Sequence, residues 1–190
     1  MLRSRVSETM LKAEIAALKA EVASLKQRAE RAEALADRDV LTPVLNRRGF
    51  MSSVLQRMAY CRRYSVQTVM LYLDLDGFKT LNDTLGHPAG DAALVYLAEL
   101  LIRHVRESDT VGRMGGDEFG VMLMNADLDA GQEKARVLSR SLADNPFVWK
   151  GVEHPLSASI GVRMLNNQKD AEVWVAETDA AMWIRKAEHR

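Results

Sequence analysis

The chain has 190 residues, 47% of them apolar and 27% charged, a balance that excludes a disordered chain and is enough for one full hydrophobic core. Lysine and arginine number 26 against 26 acidic residues, so no global field points to nucleic acid or an anionic membrane as a partner. The lone cysteine, Cys61, excludes an intramolecular disulfide and reads as a small buried apolar residue; with no run of 18 apolar residues and no signal-like N-terminus, a cytoplasmic location is expected.

The first segment is a zipper pattern. From Leu11 to Ala36 there is neither Gly nor Pro, and Ile15, Val22, Ala29 and Ala36 recur at heptad position a, with Leu11, Leu18, Leu25 and Ala32 at d. Branched residues at a with leucine at d favour a parallel two-stranded coil. In that alignment Glu14, Glu21 and Arg28 face the partner's Lys19, Lys26 and Glu33, opposite charges in each case. A single solvated helix has no reason to satisfy three such pairs, so residues 1–38 are expected to form a parallel homodimeric coiled coil. Its seam weakens to alanine toward the second unit, 39–190.

That unit alternates helix and strand signals. Leu45 to Arg62 has helical periodicity, with Phe50, Val54, Leu55 and Met58 on one face, and Val66 to Leu73 reads as a buried strand. Ala92 to Val105 predicts a helix with Leu94, Leu97 and Leu101 inward; Val111 to Met114 and Phe119 to Met124 predict a hairpin. Ala130 to Leu142 is helical, Leu156 to Met164 a strand and Ala171 to Ala187 a closing helix. An α+β fold follows, one sheet covered by helices.

Two acidic motifs stand out. Asp74 and Asp76 end an apolar strand in Leu73-Asp74-Leu75-Asp76-Gly77-Phe78-Lys79, and on a strand they share a face. Asp117 and Glu118 follow Gly115 and Gly116 at the hairpin tip, where glycine permits positive φ and close approach of a ligand. Each motif alone is an ordinary turn or strand end. If strand and hairpin lie side by side, however, three carboxylates converge, and such hard oxygen donors suit Mg²⁺.

In this company the sequence resembles the GGDEF family of diguanylate cyclases from Asp39 onward. The resemblance rests on Asp39-Val40-Leu41-Thr42 with Asn46-Arg47-Arg48, then Asp74 to Lys79, Asn82-Asp83, Gly86 to Asp91, Arg113 to Phe119 and Ser159-Ile160-Gly161-Val162. It implies a fold like the palm of nucleotide cyclases and polymerases, a central, mainly antiparallel sheet surrounded by helices. The implied activity joins two GTP molecules into cyclic di-GMP across a homodimer, using two Mg²⁺ per site with Mn²⁺ as a possible substitute. A metal site of Asp74, the Leu75 carbonyl, Asp117 and Glu118 is implied, with Asp117 also the base near the attacking 3′-hydroxyl. Gly77 and Phe78 would offer amides to the phosphates, Lys79 positive charge, and Lys186 with Arg190 a phosphate-contacting pair. Gly115 and Gly116 would lie against the substrate.

Asn82 and Asp91 match the family's guanine-reading residues, with His87 between them. A carboxylate can accept guanine's ring N–H and exocyclic amine together, which adenine does not offer. Arg106-Glu107-Ser108-Asp109 matches the family's product-inhibition motif, with Arg136 as a possible second arginine, so cyclic di-GMP would be inhibitor as well as product. Departures are Pro43 in place of a usual Gly, Trp183 for a usual Tyr, and Glu188-His189 before Arg190. The competing expectation is a non-catalytic domain that binds cyclic di-GMP or GTP; the intact Asp74, Lys79, Asp117 and Glu118 weigh against it.

Overall fold

The computed structural model describes residues 14, 15, 18–26, 28 and 36–188, and the chain divides into two units, 1–36 and 37–190. In the first, the described residues are helical, and Ile15, Leu18, Val22 and Leu25 of the heptad stripe are all exposed. The heptad positions Leu11, Ala29 and Ala32 lie outside the described residues.

The second unit is built on a four-stranded antiparallel sheet of order β2-β3-β1-β6: β1 Thr68–Leu75, β2 Thr110–Gly115, β3 Glu118–Met124 and β6 Ala158–Met164. The α+β expectation holds. Strand β1 is buried at every position because helices cover both faces, so its sequence is almost continuously apolar and lacks a period of two. Val69, Leu71, Leu73 and Leu75 enter one core with helices α3 (His87–His104) and α4 (Leu128–Asp144). Met70 and Tyr72 enter the other, with Phe50, Val54 and Met58 of α1 (Arg47–Tyr64) and Trp174 and Met182 of α5 (Ala171–Glu188). Cys61 is buried in that second core, its Sγ 3.0 Å from Thr68 Oγ1.

Local chemistry sets the boundaries. Asn46 caps α1 by accepting from the Gly49 amide, and Asp127 caps α4 by accepting from Ala130. Three differences from the sequence expectation have physical reasons. Helix α3 starts at His87, five residues before the expected Ala92, since Pro88 falls in its first turn, where a missing N–H costs nothing. Leu55 is exposed, one step off the stripe of Phe50, Val54 and Met58. A short helix, α2 (Phe78–Leu85), and a hairpin of β4 (Phe147–Trp149) and β5 (Val152–His154) are additional. That hairpin turns through Lys150 and Gly151, both at positive φ, and is anchored by buried Phe147 against the Tyr96 ring.

Candidate active site

The register of β1 and β3 brings the two acidic motifs together. Asp74 lies directly opposite Glu118, and the Leu75 amide donates to the Asp117 carbonyl at 3.2 Å. The hairpin is tighter than expected: β2 runs to Gly115 and β3 begins at Glu118, so Gly116 and Asp117 alone form the tip. Asp74 is buried, and the Lys186 ammonium from α5 donates to its Oδ1 while lying 5.6 Å from the Trp183 ring centroid. The hydroxyl of buried Tyr72 donates to Glu118 Oε2 at 3.1 Å.

The turn is also held from below. Arg113 donates from Nε and Nη2 to the Gly116 carbonyl at 3.0 and 2.7 Å, and from Nη1 to Asp39 Oδ1 at 3.2 Å. Asp39 in turn accepts from the amides of Leu41 and Thr42 and from the Thr42 hydroxyl, so one carboxylate fixes both the 39–42 turn and the arginine beneath the hairpin tip. Burial alone would push the Asp39 carboxyl up, but the bonds from Thr42 and Arg113 outweigh it and hold it below the ordinary range.

Burial pushes the Asp117 carboxyl up, and the charge of Asp74 adds to this. Its own backbone hydrogen bond and the positive Lys186 and Arg113 only partly oppose the rise. Asp179 on α5 is raised for the same two reasons, burial and then Asp74, and its Oδ1 is buried with no hydrogen-bond partner among the described residues. The phenol of Tyr72 is pushed well up by burial and by Glu118.

The donors are the hard oxygens that a divalent cation takes. Among the described residues, though, no three acidic, histidine or cysteine side chains are gathered into a ligand set. Asp74 points to Lys186 and Glu118 to Tyr72. Asp76, expected on Asp74's face, instead lies in the turn just past the end of β1 and is committed elsewhere, accepting from the Ser157 and Ser159 hydroxyls at 2.9 and 2.8 Å.

Beyond Asp76 the chain turns through Gly77, at φ +69°, into α2. Phe78 and Lys79 open that helix, so their amides lack intrahelical acceptors, and Lys79 is exposed. Asn82, also on α2, lies against Gly90 of α3, where any Cβ would overlap its amide. The guanine candidates are thereby neighbours: Asn82 is half-buried beside Gly90, while Asp91 and His87 are exposed on α3.

The Arg106–Asp109 turn stands at the far end of β2 from the hairpin tip. Asp109 accepts from the Arg106 amide at 2.9 Å and from the Met124 amide at 3.0 Å, so its two oxygens pin that turn to the end of β3. Arg136 is paired with Glu133 at 2.5 Å. It lines a cleft of about 910 Å³ with Arg140, Ser157, Ser159, Arg185 and Lys186, a lining that includes neither Arg106 nor Asp109. Arg190 lies outside the described residues. Tyr72, Asp179 and the pairing of Arg113 with Asp39 carried no role in the sequence reading. Only Asp39 and Arg113 had a signal there, as members of recurring motifs.

An antiparallel sheet between two helical layers, with carboxylates meeting where its central strand and a glycine hairpin end, defines an α+β domain of the palm type. The family model "Diguanylate cyclase, GGDEF domain" matches residues 36–190, and the chain belongs to that family. It is 37% identical over 154 residues to the diguanylate cyclase DosC of Escherichia coli K12, covering 80% of this chain and 33% of DosC. It is 34% identical to the probable diguanylate cyclase DgcE of the same strain, again over 80% of this chain but only 14% of DgcE. The chain thus spans a third or less of these relatives. Among solved structures, a sensory box/GGDEF family protein from Caulobacter crescentus aligns with TM-score 0.76 at 32% identity, covering 80% of this chain and 99% of that one. The diguanylate cyclase SiaD of Pseudomonas aeruginosa, solved with its activator SiaC, aligns with TM-score 0.76 at 28% identity, covering 98% of this chain and 73% of SiaD.

Proposed function

We propose that this chain is a diguanylate cyclase whose two copies join two GTP molecules into cyclic di-GMP, releasing two pyrophosphates. The observation that carries the reading is the register pairing of Asp74 with Glu118, with Asp117 at the tip bonded through its carbonyl to Leu75. Those oxygens suit Mg²⁺, or Mn²⁺ in its place, with Asp74, the Leu75 carbonyl, Asp117 and Glu118 as the holding groups. When bound, two such ions polarise the α-phosphate and offset charge on the leaving pyrophosphate. In this structure the Lys186 ammonium holds Asp74, so a cation bound there would have to displace it or share the carboxylate with it.

The chain's own groups supply the rest. Asp117, whose burial raises its proton affinity, takes the proton from a 3′-hydroxyl. The freed oxygen attacks the α-phosphorus of the facing GTP, the bond to pyrophosphate breaks, and the same exchange in the other direction closes the ring. Lys79 balances charge as it builds on the phosphoryl oxygens, and the amides of Gly77 and Phe78 orient the phosphates. Lys186, with Arg190, contacts the phosphates, and Gly115 and Gly116 let the substrate approach the backbone. Asn82 and Asp91 read guanine, with His87 beside them.

One palm holds one nucleotide, so the reaction needs a second copy. The exposed stripe of Ile15, Leu18, Val22 and Leu25 supports a coiled-coil homodimer that keeps two half-sites at high local concentration. Arg106, whose guanidinium can address guanine O6 and N7, and Asp109 form the proposed inhibitory site, with Arg136 as its second arginine. No described helix is long and apolar enough to cross a membrane.

The test is incubation of product-stripped protein with GTP and Mg²⁺, with nucleotides resolved by chromatography. Cyclic di-GMP is expected. Intact GTP together with retained cyclic di-GMP binding would identify a receptor and overturn the cyclase reading.

A further inference from the structure

One rung of the sheet is unusual. Across strands β2, β3, β1 and β6 the directly paired residues are Gly112, Gly120, Tyr72 and Gly161, a tyrosine among three glycines. The glycines are there because helices press on that face. A Cβ at Gly112 or Gly120 would fall within 2.6–2.7 Å of Phe50 of α1, and one at Gly161 would run into the backbone of α5 at Thr178 and Met182. Tyr72 is therefore the only side chain of its rung, 3% exposed, in the core it shares with Phe50, Trp174 and Met182 of the two helices. The next rung on the same face is the Asp74–Glu118 pair, and the hydroxyl reaches along the strand toward it. There it donates to Glu118 Oε2.

We propose that Tyr72 is a positioning residue for the cation site: its hydroxyl bonds Glu118 Oε2 and so holds that side chain at the Asp74 rung, with Oε1 the oxygen it leaves for the ion. The inference rests on the reading of Asp74, Asp117 and Glu118 as cation ligands and adds a residue that touches neither substrate nor ion. A hydrogen bond of this kind to a ligating carboxylate orients it before the ion arrives, and loss of such outer partners costs about 10–100-fold in metal affinity.

The test is direct Mn²⁺ binding, followed by electron paramagnetic resonance of the free ion, on the full chain with a non-hydrolysable GTP analogue present. Wild type is compared with Tyr72→Phe and Tyr72→Met. Both variants lack the hydroxyl, and methionine suits a face that already holds Met70, Met114 and Met122. Mn²⁺ affinity is expected to fall about 10-fold in both, with Mg²⁺ dependence of turnover shifted to match and GTP KM at saturating Mg²⁺ unchanged. In a Glu118→Gln background, Tyr72→Phe should cause no further loss. Wild-type affinity in Tyr72→Phe would overturn the proposal, and a loss confined to Tyr72→Met would do the same by assigning Tyr72 to packing. If wild type itself bound no Mn²⁺, the cation-site reading would fall and this inference with it.

Discussion

Asp117 and Asp39 are two carboxylates whose surroundings push them in opposite directions. Asp117 is raised, so the folded chain holds its proton more tightly than the unfolded chain does. The stability this contributes is present at low pH and lost as pH rises through the folded value, so at neutral pH a charged Asp117 is a local cost in the metal-free protein. Asp117→Asn removes that cost. In EDTA at pH 7 its melting temperature should equal or exceed that of wild type, while cyclic di-GMP formation falls at least about 100-fold. A variant that melts lower and keeps its activity would refute both roles. Asp39 is lowered, so its contribution is complete above the unfolded value and lost as pH falls through the folded one. Asp39→Ala removes a turn cap and the partner of Arg113 together, and should cost about 1–2 kcal/mol in urea unfolding at pH 7. The difference from wild type should shrink toward pH 3.

At the scale of elements, the glycine rung lets α1 and α5 lie directly on the sheet. Gly120→Ala forces a methyl against the Phe50 ring, and about 1–3 kcal/mol of overpacking is expected by urea unfolding. Gly161→Ala meets helix backbone, which cannot swing aside as a ring can, and should cost more. Equal stability of both variants and wild type would mean that the helices are not seated as described. How far the sequence discloses these elements varies with their physics. Strands β1 and β3 were legible because burial on both faces writes itself as apolar runs. Asp74, Asp117 and Glu118 were legible because two acidic motifs, each ordinary alone, occur together with the other motifs of the same family. The start of α3 was hidden by Gly86, Pro88 and Gly90, which act as breakers inside a helix but are tolerated at its first turn. The β4–β5 hairpin is only three residues a side, too short to show alternation. Tyr72 was hidden for another reason: in a buried strand a tyrosine looks like any other apolar filler until its neighbours prove to be glycine.

For the whole molecule, the proposed reaction needs two copies, and the zipper pattern of the first unit is the proposed means of joining them. Leu18→Glu or Leu25→Glu places a charge in the expected seam. Sedimentation should show a dimer replaced by a monomer, and turnover per chain at low protein concentration should drop at least about 10-fold, since effective concentrations set by a tether far exceed those of dilute chains. Unchanged turnover in a monomeric variant would remove the zipper from the account. Arg106→Ala should relieve inhibition by added cyclic di-GMP without loss of stability. Asp109→Ala should relieve it and also loosen the turn that Asp109 pins to β3.

The central claim is that the hairpin tip and the end of β1 together form a site that makes a closed dinucleotide from GTP. Its most direct measurement counts both products from product-stripped wild type and from Asp117→Asn, given GTP and Mg²⁺ under the same conditions. Two pyrophosphates for each cyclic di-GMP from wild type, and almost none from the variant, is the predicted result. Untouched GTP in the wild-type sample, or equal product from both proteins, would contradict the account.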